Sequence, residues 1–227
     1  MKIVVAAKCL NEEVHIERFL KCYDFADEIV ISDGGSTDKS LELLRKSPKV
    51  VLHHFPIMEV YENGVTWNPG NPHTNFLLEM AKNQNPDWII LDDLDDVPTV
   101  PLQNRAREIL ESTSKHQVNA FRVYMWGEDE FFPHMNRNFD PNYVSLWAWK
   151  PEHIDIRADE SVLNGSIMGT SSDYESILPP MILLHRAWNP ETIDYKIKRY
   201  KTVGIPCDHP FDMGLGDPIP LPDWVEK

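Results

Sequence analysis

Four carboxylates fall within five positions of this chain, Asp92, Asp93, Asp95 and Asp96, directly behind the apolar run Trp88-Ile89-Ile90-Leu91. A short apolar run bounded by turn signals reads as a buried strand. Carboxylates this close repel one another unless a cation or a proton intervenes. A fold must therefore splay them into water or give them partners. A strand that ends in acid at the carboxyl edge of an open α/β sheet stands where the ligands of such sheets bind. A hard divalent cation is one candidate partner, since Mg²⁺ is commonly held by one or two carboxylates together with substrate phosphates. A solvated acidic turn is the other reading, and residues 87–97 alone leave both open.

The surrounding order of elements favours an α/β sheet. Residues 3–7 read as a strand buried on both faces, and Asn11 reads as the N-cap of a helix with Glu12 and Glu13 in its first turn. Ile16, Phe19, Leu20 and Tyr23 give that helix one apolar face. A second strand at residues 28–32 runs into Asp33-Gly34-Gly35-Ser36-Thr37-Asp38, where Ser36 or Thr37 can cap the next helix. That helix carries Leu41, Leu43 and Leu44 and stops before Pro48, and residues 50–53 form a third strand. The order β-α-β-α-β predicts a parallel sheet with right-handed crossovers.

A long loop, residues 55–70, precedes a helix capped by Asn71 and Pro72 with Phe76, Leu77, Met80 and Ala81 on one face. After the acidic strand, Thr99 begins a helix with Leu102, Ala106, Ile109 and Leu110 aligned. Strands follow at 118–126, 144–150 and 181–185, and Asn189-Pro190 caps a helix bearing Ile193, Ile197 and Tyr200. Residues 205–227 contain five prolines and read as an ordered wrap or a tail, not as helix or central strand.

Composition narrows the partners. A formal charge of −14 argues against a nucleic-acid backbone, because that affinity comes from Lys and Arg on phosphates. No apolar run approaches the roughly 18–20 residues of a membrane helix. Lys8 interrupts the N-terminal apolar stretch below the about 7–15 residues of a signal-peptide core, so none is expected. Three cysteines, Cys9, Cys22 and Cys207, without metal-like spacing suit a reducing, cytoplasmic setting. Neither a P-loop nor a Rossmann glycine fingerprint is present.

Two acid-bearing turns thus end strands of one parallel sheet, and all strand carboxyl ends of such a sheet share an edge. The segments KIVVAAKCLNEE, FADEIVISDGGSTDKS and DWIILDDLDD follow in this order. Together they resemble the family 2 glycosyltransferases of the GT-A fold: their opening strand with N-E-E, their D-x-G-S-T-D turn and their D-x-D strand end. The resemblance is best over the first hundred residues. It is closest to the branch that includes lipopolysaccharide-core sugar transferases, where an Asn follows the long loop, as Asn75 does here.

The resemblance implies a GT-A-like (Rossmann-like) three-layer α/β fold, with a mostly parallel central sheet and a mixed C-terminal acceptor-side region. Residues 1–117 would form the nucleotide-sugar half, 118–204 the acceptor half of the same domain, and 205–227 a Pro-rich tail. The implied activity is metal-dependent, inverting transfer of a sugar from a nucleotide diphosphate, UDP by family habit, to an acceptor hydroxyl. By the same resemblance Ala7, Asn11, Glu12, Asp33, Asn75 and Asp93 line the nucleotide pocket. Asp95, Asp93 and His185 would hold Mn²⁺ or Mg²⁺, and Glu160, after Asp159, would be the general base. Asp92 is an extra acid that leaves the D-x-D register open by one residue.

One departure stands out. His73-Thr74 occupies the place where the family often carries Arg, Lys or Gln for phosphate, which leaves that task to the metal or to Lys8, Arg199 or Lys201. Blander readings stay open for each residue: Asp33 as a turn former, Asn11 as a helix cap, Glu160 as a loop carboxylate, His185 as a core histidine. Trp126, Trp147 and Trp149 fit sugar stacking or core, and Glu128-Asp129-Glu130 fits acceptor hydroxyls or a solvated face. Two rival functions are a haloacid-dehalogenase-like phosphatase, from Asp93-Leu94-Asp95-Asp96-Val97, and a sugar-nucleotide-binding protein without transfer.

Overall fold

The structure is a computed structural model that describes residues 1–55, 59–60, 66–67, 70–132, 145–156, 167–169, 173–188, 193–202, 217, 219–223 and 225. In chain order the first elements are β1 (Ile3–Cys9), α1 (Glu13–Cys22), β2 (Glu28–Asp33), α2 (Ser40–Leu44) and β3 (Val50–His54). Then come β4 (Glu59–Val60), β5 (Thr66–Trp67), α3 (Gly70–Lys82), β6 (Trp88–Leu91), β7 (Asp96–Pro98) and α4 (Val100–Ser112). The second half comprises β8 (Gln117–Trp126), β9 (Glu130–Phe131), β10 (Ser145–Trp149), β11 (Ile154–Ile156), β12 (Ile167–Gly169), β13 (Tyr174–Trp188), α5 (Ile193–Thr202) and β14 (Ile219–Pro220).

One large sheet runs in the order β14-β9-β8-β10-β6-β1-β2-β3, with β13 beside β8 and β7 beside β13. Strands β3, β2, β1 and β6 are parallel, as the β-α-β order requires. Strand β10 enters antiparallel between β6 and β8. Helices cover both faces, giving three layers. Ile3, Val5 and Ala7 of β1 face the layer with Ile16 and Phe19 of α1 and Leu102 and Ala106 of α4. Val4 and Ala6 face Leu77, Leu78 and Ala81 of α3. The period of two along β1 thus sorts its side chains between two cores. Burying a side chain such as Ile16 or Phe19 stabilises by about 1.5–3 kcal/mol. The architecture is the mixed α/β fold with a mostly parallel central sheet that the sequence implies.

Register decides what stands at the carboxyl edge. Cys9 lies opposite Asp33, and Ala6 opposite Leu91. The Asp33 turn and the acidic turn therefore flank the end of β1, one on each side. Both turns share one edge.

Several local expectations need correction. Asn11 does not cap α1: it has φ 56°, the cap position is Glu12, whose own side chain makes no capping bond, and the Glu13 amide donates to Asp38 Oδ2 at 3.1 Å. Neither Ser36 nor Thr37 caps α2, whose cap position is Lys39. Helix α3 begins at Gly70, so Asn71 and Pro72 lie within its first turn, where a proline removes no helical bond. The strand expected at 181–185 is a 15-residue strand, β13. Its Pro179 and Pro180 fall where the pairing with β8 shifts register between Ile177 and Ile182, so their missing amide hydrogens are tolerated. In the tail, Ile219–Pro220 pairs as an edge strand with β9, and Val225 is buried in the main core.

Thr99, at the cap position of α4, uses its side chain outside the helix. Its Oγ lies 2.9 Å from the Pro180 carbonyl and accepts the Ile182 amide at 3.1 Å. This ties α4 to β13. Thr99→Val keeps the shape and removes these bonds, and a loss of about 1–3 kcal/mol is expected in urea unfolding. An unchanged midpoint rules out a structural role for this hydroxyl.

Candidate active site

The first turn is built around a carboxylate. Asp33 is buried and accepts the amides of Gly35 at 2.9 Å and Ser36 at 3.1 Å. Gly35 has φ 102°, a conformation that a side chain would oppose. Asn11 reaches across from the end of β1, accepting the Thr37 amide at 2.7 Å through Oδ1. Its own amide bonds Ser36 Oγ at 2.9 Å, and the Glu12 amide bonds Ser40 Oγ at 2.9 Å. Asn11, Glu12 and Asp33 therefore form one joint, closed by the Gly34 amide on the Cys9 carbonyl at 2.8 Å. His54 Nδ1 lies 3.6 Å from Asp33 Oδ2. Ala7 is fully buried in β1, and Asn75 is half-buried on α3.

In the second turn the four carboxylates divide by depth. Asp92 and Asp96 point inward, where the Arg122 guanidinium bridges them, with Nη2 2.9 Å from Asp92 Oδ1 and 2.8 Å from Asp96 Oδ2. Tyr23, just past the end of α1, donates its hydroxyl to Asp92 Oδ2. Burial, and then the neighbouring Asp96 charge, raise the Asp92 carboxyl well above the usual carboxylate range. Burial alone would raise Asp96 as well, but Arg122 and His185 hold it below that range. These opposite shifts favour a proton on Asp92, hydrogen-bonded to Asp96, and a charge on Asp96 beside Arg122. Asp93 is exposed, and Asp95 is buried, though at 7% exposure less completely than Asp92 and Asp96.

His185 completes the group. Its Nδ1 stands 2.7 Å from Asp96 Oδ1 and 3.7 Å from Asp95 Oδ1, and the Tyr124 ring meets it edge-on at 5.0 Å. Burial would lower its pKa, but Asp96 and Asp95 raise it on balance. Asp93, Asp95, Asp96 and His185 each offer a ligand atom, all within 4.8 Å of one another. Hard oxygens with one imidazole suit a divalent cation such as Mn²⁺ or Mg²⁺. The group could hold a metal.

Other candidates lie elsewhere. His73 does not stand as an exposed phosphate contact. Its ring stacks on Phe55 at 4.4 Å, and Nε2 lies 2.8 Å from Ser32 Oγ. Burial, and then the nearby Lys8 ammonium, lower His73 to about 4. Trp147 and Trp149 are core, at 0% and 1% exposure, while Trp126 packs edge-on against Phe132. Glu128 pairs with Arg18 and Arg186, so it belongs to a surface ion cluster. Glu160 and Asp159 lie outside the described residues. Arg122 and Tyr23 were not legible as site residues; the one signal was a lone arginine inside the apolar strand VNAFRVYMW.

No family model matches the sequence, and no curated protein matches it. Among solved structures the chain is similar to S. aureus TarS 1-349, at 14% identity over 95% of this chain and 69% of that one, with a TM-score of 0.52. The same TarS 1-349 in complex with UDP gives 13% identity, the same coverages and a TM-score of 0.50. A longer TarS structure gives 13% identity over 95% of this chain and 42% of that chain, with a TM-score of 0.51. At this identity the likeness shows the fold alone.

Two stability measurements follow from the geometry. Asp92 is pushed toward its neutral form, so Asp92→Asn is expected to cost far less than Asp96→Asn, which strips Arg122 of its charged partner and should lose about 3–5 kcal/mol. Equal losses in urea unfolding contradict this division. His73 is held below its unfolded pKa, so between pH 6.5 and 4 the unfolded chain takes up a proton that the folded chain refuses. Stability should fall by about 3 kcal/mol over that window as pH drops. His73→Gln should flatten this limb, and parallel profiles for the two proteins exclude the assignment.

Proposed function

We propose that this chain is a metal-dependent, inverting glycosyltransferase that moves a sugar from a nucleotide-diphosphate donor, a UDP-sugar, to an acceptor hydroxyl. The observation that supports it most is the meeting of Asp93, Asp95 and His185, distant in sequence, within 4.8 Å at the carboxyl edge of a GT-A-like sheet. The Asp33 turn stands one strand away on the same edge. The TarS 1-349 structure of similar fold holds UDP, which supports a uridine donor.

Asp93, Asp95 and His185 would hold Mn²⁺ or Mg²⁺, which supplies Lewis-acid neutralisation of the departing nucleotide diphosphate. Asn11, Glu12, Asp33 and Asn75 receive the nucleoside, with the Ala7 strand as floor. Because His73 is buried and neutral, the donor phosphates fall to Lys8, at the end of β1 between the two acidic turns. Glu160 takes the proton of the acceptor hydroxyl as that oxygen attacks the anomeric carbon from the face opposite the diphosphate, giving inversion. Residues 1–117 carry the donor side, 118–204 the acceptor side of the same domain, and 205–227 are a Pro-rich tail. No helix among the described residues is long and apolar enough to cross a membrane, and the free, buried Cys9 and Cys22 suit the cytoplasm.

The phosphatase reading finds less support. Its nucleophile motif belongs on a first strand, whereas β1, β2 and β3 precede Asp93 here. A binder without transfer would keep the acidic turns and lack a working base.

Release of UDP from UDP-sugars with candidate acceptors, with and without Mn²⁺, tests the proposal; orthophosphate release from monoesters instead points to the phosphatase. Glu160→Gln is expected to lose about 10²–10⁴-fold in turnover while keeping donor affinity. Near-normal turnover removes Glu160 from the role. Asp95→Ala should weaken Mn²⁺-dependent UDP binding in calorimetry, and unchanged affinity counts against the metal site.

A further inference from the structure

We propose that Asp96 and Arg122 are positioning residues for His185. Asp96 stays out of the metal's coordination sphere and holds the imidazole by Nδ1–H, so that Nε2 is the nitrogen presented to the cation. Arg122 fixes Asp96 in that task. This rests on the metal-dependent reading above.

The oxygens of Asp96 are already engaged. Oδ1 lies 2.7 Å from His185 Nδ1. Oδ2 lies 2.8 Å from Arg122 Nη2 and 3.3 Å from the Asp93 amide. The side chain is fully buried, with 0% exposure. These three contacts and the hydrogen bond with Asp92 take up the roughly four lone-pair directions of a carboxylate. A cation would have to displace one of them, and displacing Arg122 inside the protein is strongly destabilising. Asp93, by contrast, is exposed, and Asp95 is 7% exposed.

The arrangement is set by strand register, not by a loop. His185 lies directly opposite Asp96 across the β7–β13 pair. Across the β8–β13 pair it lies opposite Tyr124, and Leu183 opposite Arg122. Alternate residues of a strand share a face, so Arg122, Tyr124, His185 and Asp96 line one face of three adjacent strands. Groups on such elements hold geometry more closely than groups on loops. A carboxylate facing Arg122 acts as acceptor, so Nδ1 is the donor and Nε2 keeps its lone pair. Carboxylate–histidine–metal arrangements of this type fix both tautomer and ring angle.

Long-range ¹H–¹⁵N spectra of the metal-free protein, with His185 assigned through His185→Gln, read the tautomer once the ring is neutral. Nδ1–H is expected. In the Cd²⁺-loaded protein the coordination shift should fall on Nε2. Mn²⁺ binding, followed by electron paramagnetic resonance with UDP present, should weaken about 10–100-fold in Asp96→Asn and be unchanged in Asp92→Asn, which touches the same arginine but not the histidine. The double variant Asp96→Asn/Arg122→Gln, which leaves no unpaired buried charge, should lose affinity like Asp96→Asn. An Nε2–H tautomer, coordination through Nδ1, or wild-type Mn²⁺ affinity in either Asp96 variant overturns this inference and leaves the metal-dependent reading standing. A wild-type protein that takes up no Mn²⁺ overturns both.

Discussion

A guanidinium buried between two carboxylates holds this structure's edge together. Without Arg122, the acidic turn would carry four negative charges in five residues, three of them buried. With it, Asp92 is pushed toward its neutral form and Asp96 toward its charged one. Tyr23, at the end of α1, holds Asp92 through its hydroxyl. Asp92 and Asp96 thereby become part of the core, and Asp93 and Asp95 are the two left for the proposed metal.

Much of the fold was legible because its first hundred residues keep clean periods. Ile3 to Cys9 alternates between two cores, and Ile16, Phe19 and Tyr23 recur at helical spacing, so β1 and α1 announce themselves. The strand β7 did not, since Asp96-Val97-Pro98 reads as the end of an acidic turn; only pairing with β13 makes it a strand. The first half of β13 was hidden by Pro179 and Pro180, which a register shift accommodates. That β10 lies between β6 and β8 is a long-range pairing no local pattern encodes.

The candidate site divides in the same way. Asp93, Asp95 and His185 could be picked because acids after a strand and a histidine closing another are visible locally, and the fold brings them together. Asn11 was read locally as a helix cap, yet its side chain serves a turn 26 residues away. Arg122 escaped because its partners are 30 and 26 positions back, where only the folded sheet places them. Asp96 could be seen in the sequence, but its inward orientation could not. Local rules find the groups; register finds their partners.

The sequence separation of these contacts also imposes an order in time. The acids and Arg122 lie within residues 92–122, whereas His185 joins Asp96 across 89 positions. Yet β8, which carries Arg122, reaches β6 through β10 and β7 through β13. Closing such long loops costs entropy, and the contacts that need them form late. The acidic turn, made early in the chain, is thus relieved of its repulsion only when the second half has paired.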